Sequence, residues 1–206
     1  MGKPLIVHTI EQALRCSKID TVYVSTDDQE IAAIARKAGA TVPFLRPAEL
    51  ATDQAGKLDV IRHLVSAVAK KEGNPDIVVD LDPTSPLRTI DDIEACIAAL
   101  EKPGVDNVIT AFPAEKNPYF NMVENNPEGW ARLCKKGSFV RRQDAPNVYS
   151  MNASIYVWRL DSLPMGLFDG NTYLYVMPRE RSIDIDSEID FDLVELYMHR
   201  RGNEFQ

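Results

Sequence analysis

The stretch DIVVDLDPTSPLR, residues 76–88, decides the fold. Its IVV run is continuously apolar, which marks a strand covered on both faces. DLDPTSPLR follows as a loop stiffened by two prolines, and TIDDIEACIAALEK then has helical spacing. Strand, polar loop and helix in that order form the βα unit of a parallel sheet. The loop falls at the C-terminal end of the strand, where open α/β sheets bind ligands. Asp80 and Asp82 flank a leucine, so the strand period of two puts both on one face. Thr84 and Ser85 add hydroxyls, and Arg88 adds a fork suited to a carboxylate or phosphate.

The same grammar extends outward. PLIVHTIEQALRCS reads as a helix with Pro4 near its start, and TVYVST (residues 21–26) as a β-branched strand. DQEIAAIARKAG reads as a helix capped by Asp27 or Asp28 and stopped at Gly39. ATVPFL is a second strand, and KLDVIRHLVSAVAKKEG an amphipathic helix ending at Gly73. Downstream, DNVITAFPAE, NASIYVWRL and TYLYVMP read as strands and EIDFDLVELYMHRR as a final helix. Alternating strands and helices predict an α/β fold with a largely parallel sheet and helices on both faces. The 206 residues fit one domain, 1–206. Residues from about 114 to 178 are richer in turn formers and aromatics, and predict an irregular β extension of the kind that carries function.

Composition narrows the partners. Apolar residues make up 45% and charged residues 26%, an ordinary globular balance. The net charge of −8 argues against nucleic acid or an anionic membrane as partner. No apolar run approaches the roughly 20 residues that span a bilayer, and charged residues interrupt the N-terminal stretch too early for a signal peptide. Cys16, Cys96 and Cys134 are odd in number and widely spaced, so a reduced, cytoplasmic setting is expected.

A second chemical signal is SIDIDSEIDF, residues 182–191. Read as an extended strand end, it places Asp184 and Asp186 on one face, their Cα atoms roughly 6.6 Å apart. That pairing favours a hard cation such as Mg²⁺, which takes one or two carboxylates plus substrate phosphates. Ser187 and Asp190 fit a capping box for the last helix, and Glu188 and Asp190 suit its positive end. Basic residues in expected loops or at element ends are Arg46, Lys57, Arg88, Arg141 and Arg142, the charges an acidic protein would gather for a polyphosphate. His8, His63 and His199 lie in helical patterns and are expected to be structural or solvated. There is no GxSxG, Walker A or HExxH motif.

RPAELATD (residues 46–53), DPTSPLR (82–88), NASIY (152–156) and SIDIDSEID (182–190) resemble, in this order, the motifs of the acylneuraminate cytidylyltransferases, the CMP-sialic acid synthetase family. NPYFNMVE and FVRRQDAPNVY are most similar to the bacterial branch acting on legionaminic acid. The resemblance implies a Rossmann-like, GT-A-like three-layer nucleotidyltransferase fold with a β dimerisation extension, and a cytoplasmic homodimer. It implies transfer of CMP from CTP to a nine-carbon acidic sugar with release of pyrophosphate, as in cell-surface polysaccharide biosynthesis, with Mg²⁺ on Asp184 and Asp186. The catalytic set is then Asp82, Asp184 and Asp186. Arg46, Lys57 and Asp80 face the nucleotide; Asp82, Thr84, Ser85, Arg88, Arg142, Asn152 and Tyr156 face the sugar. In the family, the region matching about 161–172 reaches toward the partner subunit, and Leu163, Met165, Leu167 and Phe168 are apolar here.

Departures from the family pattern bear on the substrate. Asp82 stands where sialic-acid enzymes carry Gln, Lys57 where a serine often faces the nucleotide, and Ser150 where an arginine often meets the sugar carboxylate. The family opens with a strand and a loop of the form IPARGGSKGxxxKN. GKPLI matches just beyond it, so the resemblance sets the first strand and main triphosphate grip outside these residues. An alternative expectation is therefore a fragment keeping the fold and dimer surface without turnover. Another is a Mg²⁺-dependent phosphatase of the haloacid-dehalogenase type, since DLDPT matches DxDxT and Asp186–Asp190 spacing matches DxxxD.

Overall fold

The computed structural model describes residues 2–204, with the side chains of residues 142 and 201–204 outside the described set. Its centre is a four-stranded sheet in the order β1-β5-β2-β6. The strands are β1 (Ile77–Leu81), β2 (Asn107–Pro113), β5 (Tyr149–Arg159) and β6 (Thr172–Val176). β2 and β6 pair in parallel, while β5 runs antiparallel to both β1 and β2. The sheet is thus mixed: β1, β2 and β6 share one direction and the longest strand opposes them. The other two strands, β3 (Val123–Asn125) and β4 (Ala131–Leu133), form a separate hairpin. Of the expected extension, residues 149–159 and 172–176 lie in the main sheet as β5 and β6, while residues 114–148 and 160–171 lie outside its strands.

Side-chain alternation explains the layers. Ile155 and Val157 of β5 face one way and pack with Val108, Val79 and helix α4 (Ile90–Leu100). Tyr156 and Trp158 face the other way and pack with Ile109, Val78 and helix α3 (Lys57–Glu72). Helices therefore cover both faces, as the apolar strands require. Helices α1 (Leu5–Arg15) and α2 (Gln29–Lys37) share their own cluster around Ile10, Ala32 and Ala35. The expected end signals operate: Asp28 accepts the amides of Glu30 and Ile31 at the start of α2, and Gly73, at φ 92°, stops α3.

Two expected strands differ. Residues 21–26 and 41–46 are extended and pair only through one parallel bridge, Tyr23 with Thr41. Their hydrogen bonds, from Val24 N to Thr41 O (2.9 Å) and from Thr41 N to Val22 O (2.8 Å), involve each other and not the central sheet. Residues 182–185 are likewise no sheet strand. One amide, Ile185 N, donates to Thr84 O (3.0 Å), and Arg179–Arg181 forms a helical turn just before. Helix α5 (Glu188–Glu204) follows, with Ser187 Oγ accepting from Asp190 N (3.4 Å) and donating to the Asp190 carboxylate (2.6 Å). That is the expected cap.

Candidate active site

The shared direction of β1, β2 and β6 delivers their C-terminal ends to one edge of the sheet, and β5 begins there. Residues 82–88 leave β1 at this edge. Ser85 Oγ donates to Asn152 O (3.2 Å) and lies 3.5 Å from Asp184 Oδ1. Together with the Ile185–Thr84 bond, this brings DPTSPLR, NASIY and SIDID side by side.

Asp80 and Asp82 occupy the α3 side of the sheet, the face that Val78 shares with α3. Their repulsion is relieved from within. Lys57, the first residue of α3, places Nζ 3.0 Å from Asp80 Oδ2 and 2.8 Å from Asp82 Oδ2. The ammonium also sits 4.5 Å above the Tyr156 ring, which stacks on Trp158. Asp82 Oδ1 accepts the Thr84 hydroxyl (3.0 Å). Burial pushes the Asp82 carboxyl up, but Lys57 and Thr84 outweigh it and hold it below the usual carboxylate range. Burial likewise opposes the Lys57 charge, and Asp80 and Asp82 overcome it, so its pKa rises. Both oxygens of Asp82 are thus engaged, which differs from the free metal or sugar carboxylate expected of it.

Asp184 and Asp186 are in the opposite condition. Neither has an ion-pair partner among the described residues, and Asp186 is exposed. Two carboxylates without a protein cation, on a segment fixed to the Thr84 carbonyl, are a donor set that fits one hard divalent ion. No group of three or more His, Cys, Asp or Glu among the described residues is arranged to hold a metal, so phosphate and water oxygens would complete the shell.

Several expected ligand contacts turn inward instead. Arg88 is 1% exposed. It donates to Gln12 Oε1 (3.2 Å), to Thr9 Oγ1 (2.9 Å) and to the carbonyls of Ser154 and Asp82. Gln12 in turn donates to the carbonyls of Pro86 (2.8 Å) and Arg88 (3.0 Å). Arg88 is therefore the internal tie of the loop and not a fork for a ligand. Ser85 and Asn152 are buried too; Asn152 Nδ2 meets the Met177 sulfur at 3.3 Å. They shape the wall. Tyr156 is buried beneath Lys57. Thr84 and Asp184 are half-buried at the edge. Arg46 binds the Ser25 hydroxyl (3.1 Å) and the Ser25 carbonyl. Arg141 pairs with Asp144 (2.9 Å) on an exposed turn. The side chain of Arg142 lies outside the described residues. Cys16 and Cys96 are buried and free, as small core hydrophobes would be.

Sequence reading missed the pair Arg181–Asp92. Asp92 is 0% exposed and receives Arg181 Nε (2.9 Å) and Nη2 (2.8 Å), while its backbone and carboxylate close a capping box with Thr89. Tyr175 adds a hydroxyl at 3.2 Å. The box T-x-x-D was readable; its arginine, 89 residues away, was not. The pair locks the turn before Asp184 to the helix after DPTSPLR. Replacing Arg181 by Met leaves a buried carboxylate short of its cation, and is expected to cost about 2–4 kcal/mol. Burial raises the Asp92 pKa, but Arg181 and Thr89 hold it low on balance. Its contribution is therefore full above the unfolded aspartate value and fades as pH falls through the lower folded one. Thermal melts of both proteins should differ fully at pH 7 and converge below about pH 4. A difference independent of pH would contradict the assignment.

Beside this edge, at the root of the β3–β4 arm, lies an open cavity of about 460 Å³, lined in part by Pro113, Asn117, Gln143, Pro146, Asn147 and Tyr149.

Known proteins share this arrangement's sequence and fold. Residues 1–192 match the family described as Cytidylyltransferase. The chain is 38% identical over 201 residues to the post-translational flagellin modification protein B of Campylobacter coli, covering 96% of this chain and 85% of that one. It is 40% identical over 197 residues to the CMP-N,N'-diacetyllegionaminic acid synthase of Campylobacter jejuni, covering 93% and 82%. The synthase of the same name from Legionella pneumophila is 30% identical over 215 residues, covering 96% and 86%. Among solved structures, a CMP:2-keto-3-deoxy-manno-octonic acid synthetase complexed with CTP superposes with a TM-score of 0.66 at 19% identity, covering 98% of this chain and 90% of that one. A 4-diphosphocytidyl-2C-methyl-D-erythritol synthase from Anaerococcus prevotii gives 0.66 at 14% identity, covering 96% and 90%. These two likenesses show that the chain shares their Rossmann-like fold.

Proposed function

The chain belongs to the cytidylyltransferase family, and on that premise we propose that it transfers CMP from CTP to a nine-carbon acidic sugar of the legionaminic acid type, releasing pyrophosphate. The observation that carries this reading is the junction of the three motif segments at one sheet edge, with two acids bridged by Lys57 and two left open. The chemistry joins the anomeric oxygen of the sugar to the α-phosphorus of CTP, and the bond from that phosphorus to the pyrophosphate oxygen breaks. Such transfer is mostly positioning and charge neutralisation, which explains why no nucleophilic triad is needed.

Asp184 and Asp186 would hold a divalent ion, in our reading Mg²⁺, whose positive charge would offset that of the phosphates. Arg46 would supply positive charge on the nucleotide side, and Lys57 would offer a donor there while offsetting part of the charge of Asp80 and Asp82. Lys57 does so while anchored, so its ammonium is positioned before CTP arrives. Asp80 and Asp82 fix that ammonium, and Thr84 fixes Asp82. Tyr156 gives it an aromatic floor on the sugar side. Arg88, Ser85 and Asn152 keep the loop and β5 in register. The phosphatase alternative would make Asp80 a free nucleophile, whereas Lys57 holds it. The test is pyrophosphate release from CTP in the presence of acidic sugars.

We also read the chain as a cytoplasmic homodimer. Among the described residues no helix is long and apolar enough to cross a membrane. Leu163, expected at the partner surface, is 2% exposed in its own core, whereas Met165 and Phe168 of the same expected surface are 42% and 66% exposed. Apolar side chains are also exposed on the arm, where Trp130 is 65% exposed, and in the loop after β4, where Val140 is 88% exposed. A surface of that kind calls for a cover, and in a two-fold dimer a second copy would present the same patch to it. Light scattering should find a dimer for the full chain and a monomer for Trp130→Glu with Val140→Glu. A monomeric parent would contradict the dimer.

A further inference from the structure

We propose that the outward face of helix α5 is a contact surface for the same face of a second copy of this chain, with the two helices lying antiparallel.

An ordinary surface helix carries one apolar stripe, and the rest of its circumference is polar. Helix α5 carries two. The inward stripe is Phe191, Val194 and Met198, at spacings of three and four. These residues line a narrow cleft with Leu5, His8 and Ile185, and Val194 is 3% exposed. The outward stripe is Ile189, Leu193 and Leu196, at spacings of four and three, which the helical period puts on the opposite side. Ile189 is 78% exposed, Leu193 39% and Leu196 46%. The inward stripe already attaches the helix to its own domain. The outward one adds nothing to the fold, and a contiguous apolar ridge of this kind marks an interaction surface.

Charge along the helix identifies the cover. Glu188, Asp190, Asp192 and Glu195 occupy its first half, and His199, Arg200 and Arg201 its second. The macrodipole favours that order within one helix, and the same order makes the helix complementary to a reversed copy of itself. A parallel pair would set four acids against four acids. An antiparallel pair with Leu193 of one copy against Leu196 of the other puts Ile189 under the aliphatic stem of the opposite Arg200. The guanidinium then reaches Glu188 and Asp192 of that opposite copy, and the contact repeats at the far end, as a two-fold axis requires. Glu188, Asp192 and Arg200 are exposed and form no ion pair among the described residues, so all three are available. Three apolar side chains from each copy fall short of the roughly 1,200 Å² of a stable interface. Association through α5 is therefore weak, joins the dimers proposed above, and shows only in concentrated protein.

Sedimentation from micromolar to millimolar protein tests this surface. The parent should reach about twice its dilute mass. Leu193→Glu with Leu196→Glu should keep the dilute mass throughout, and Arg200→Glu should raise the concentration of half-association about tenfold. These side chains are exposed, so melting of the dilute proteins should match the parent. Disulfides read the orientation, in a Cys134→Ser background. Leu193→Cys mixed with Leu196→Cys should cross-link on oxidation. Ile189→Cys should not link to itself, because its two copies lie roughly 16 Å apart along the helix axis. A parent that keeps its dilute mass at every concentration overturns the surface, as does undiminished association of the double glutamate variant. Self-linking of Ile189→Cys overturns the antiparallel pairing.

Discussion

Replacing Arg88 by Met should destabilise the protein by about 3–5 kcal/mol, before any effect on substrate is measured. The substitution keeps much of the volume and removes the fork. It strands the carbonyls of Ser154 and Asp82, the Thr9 hydroxyl and one end of Gln12, all around a group that is 1% exposed. Burial lowers the Arg88 pKa to about 10, against the pull of Asp82, Asp80, Asp184 and Asp92, so the side chain is still charged at neutral pH. Its hydrogen bonds are charge-assisted, which makes their loss more serious than that of neutral bonds. Lys in its place cannot reach four acceptors spread over α1, β5 and the 82–88 loop, and should recover less than half of the stability. Urea denaturation of parent, Met and Lys proteins would read this directly. An unchanged midpoint with lost activity would mean that Arg88 faces a ligand after all.

Asp186→Asn should do the reverse. Asp186 is exposed and makes no ion pair among the described residues, so folding should be untouched. Transfer at ordinary Mg²⁺ is expected to fall by about a hundredfold or more, because the lost ligand bears directly on the charge of the transferring phosphate. Asp184→Asn should behave alike with a small stability change, since Asp184 also faces Ser85 at 3.5 Å. Calorimetric titration with Mn²⁺ separates the two possible causes of lost activity. Binding weakened in both variants supports a shared metal site. Activity and Mn²⁺ binding both retained in Asp186→Asn would remove it from that site.

The contrast between Arg88 and Asp186 shows how far sequence could carry the reading. Local signals were legible. The IVV run, the period of two behind Asp80 and Asp82, the Asp28 cap, the Ser187–Asp190 cap and the Gly73 stop all act over a few residues. Strand direction was not legible, because apolar alternation is identical read either way. β5 could therefore be placed but not oriented, and the sheet is mixed. Residues 182–185 satisfy the strand pattern, yet only one amide finds a partner on the 82–88 loop. The inward turn of Arg88 depends on Gln12 and Ser154, 76 and 66 residues away. Lys57 is similar. A loop lysine and a strand-end DxD each looked available for a ligand, and they satisfy each other across 25 residues. Residues that looked like ligands were half of the internal framework, and only contacts between distant segments could sort one from the other.

The central claim is cytidylyl transfer to an acidic sugar, and coupled detection of pyrophosphate tests it most directly. The full chain, with CTP and Mg²⁺, would be presented with N,N'-diacetyllegionaminate, N-acetylneuraminate, pseudaminate and deoxyoctulosonate. The structure and its relatives predict release that requires both CTP and sugar and is fastest with the legionaminate. Absence of release with all four would contradict the claim.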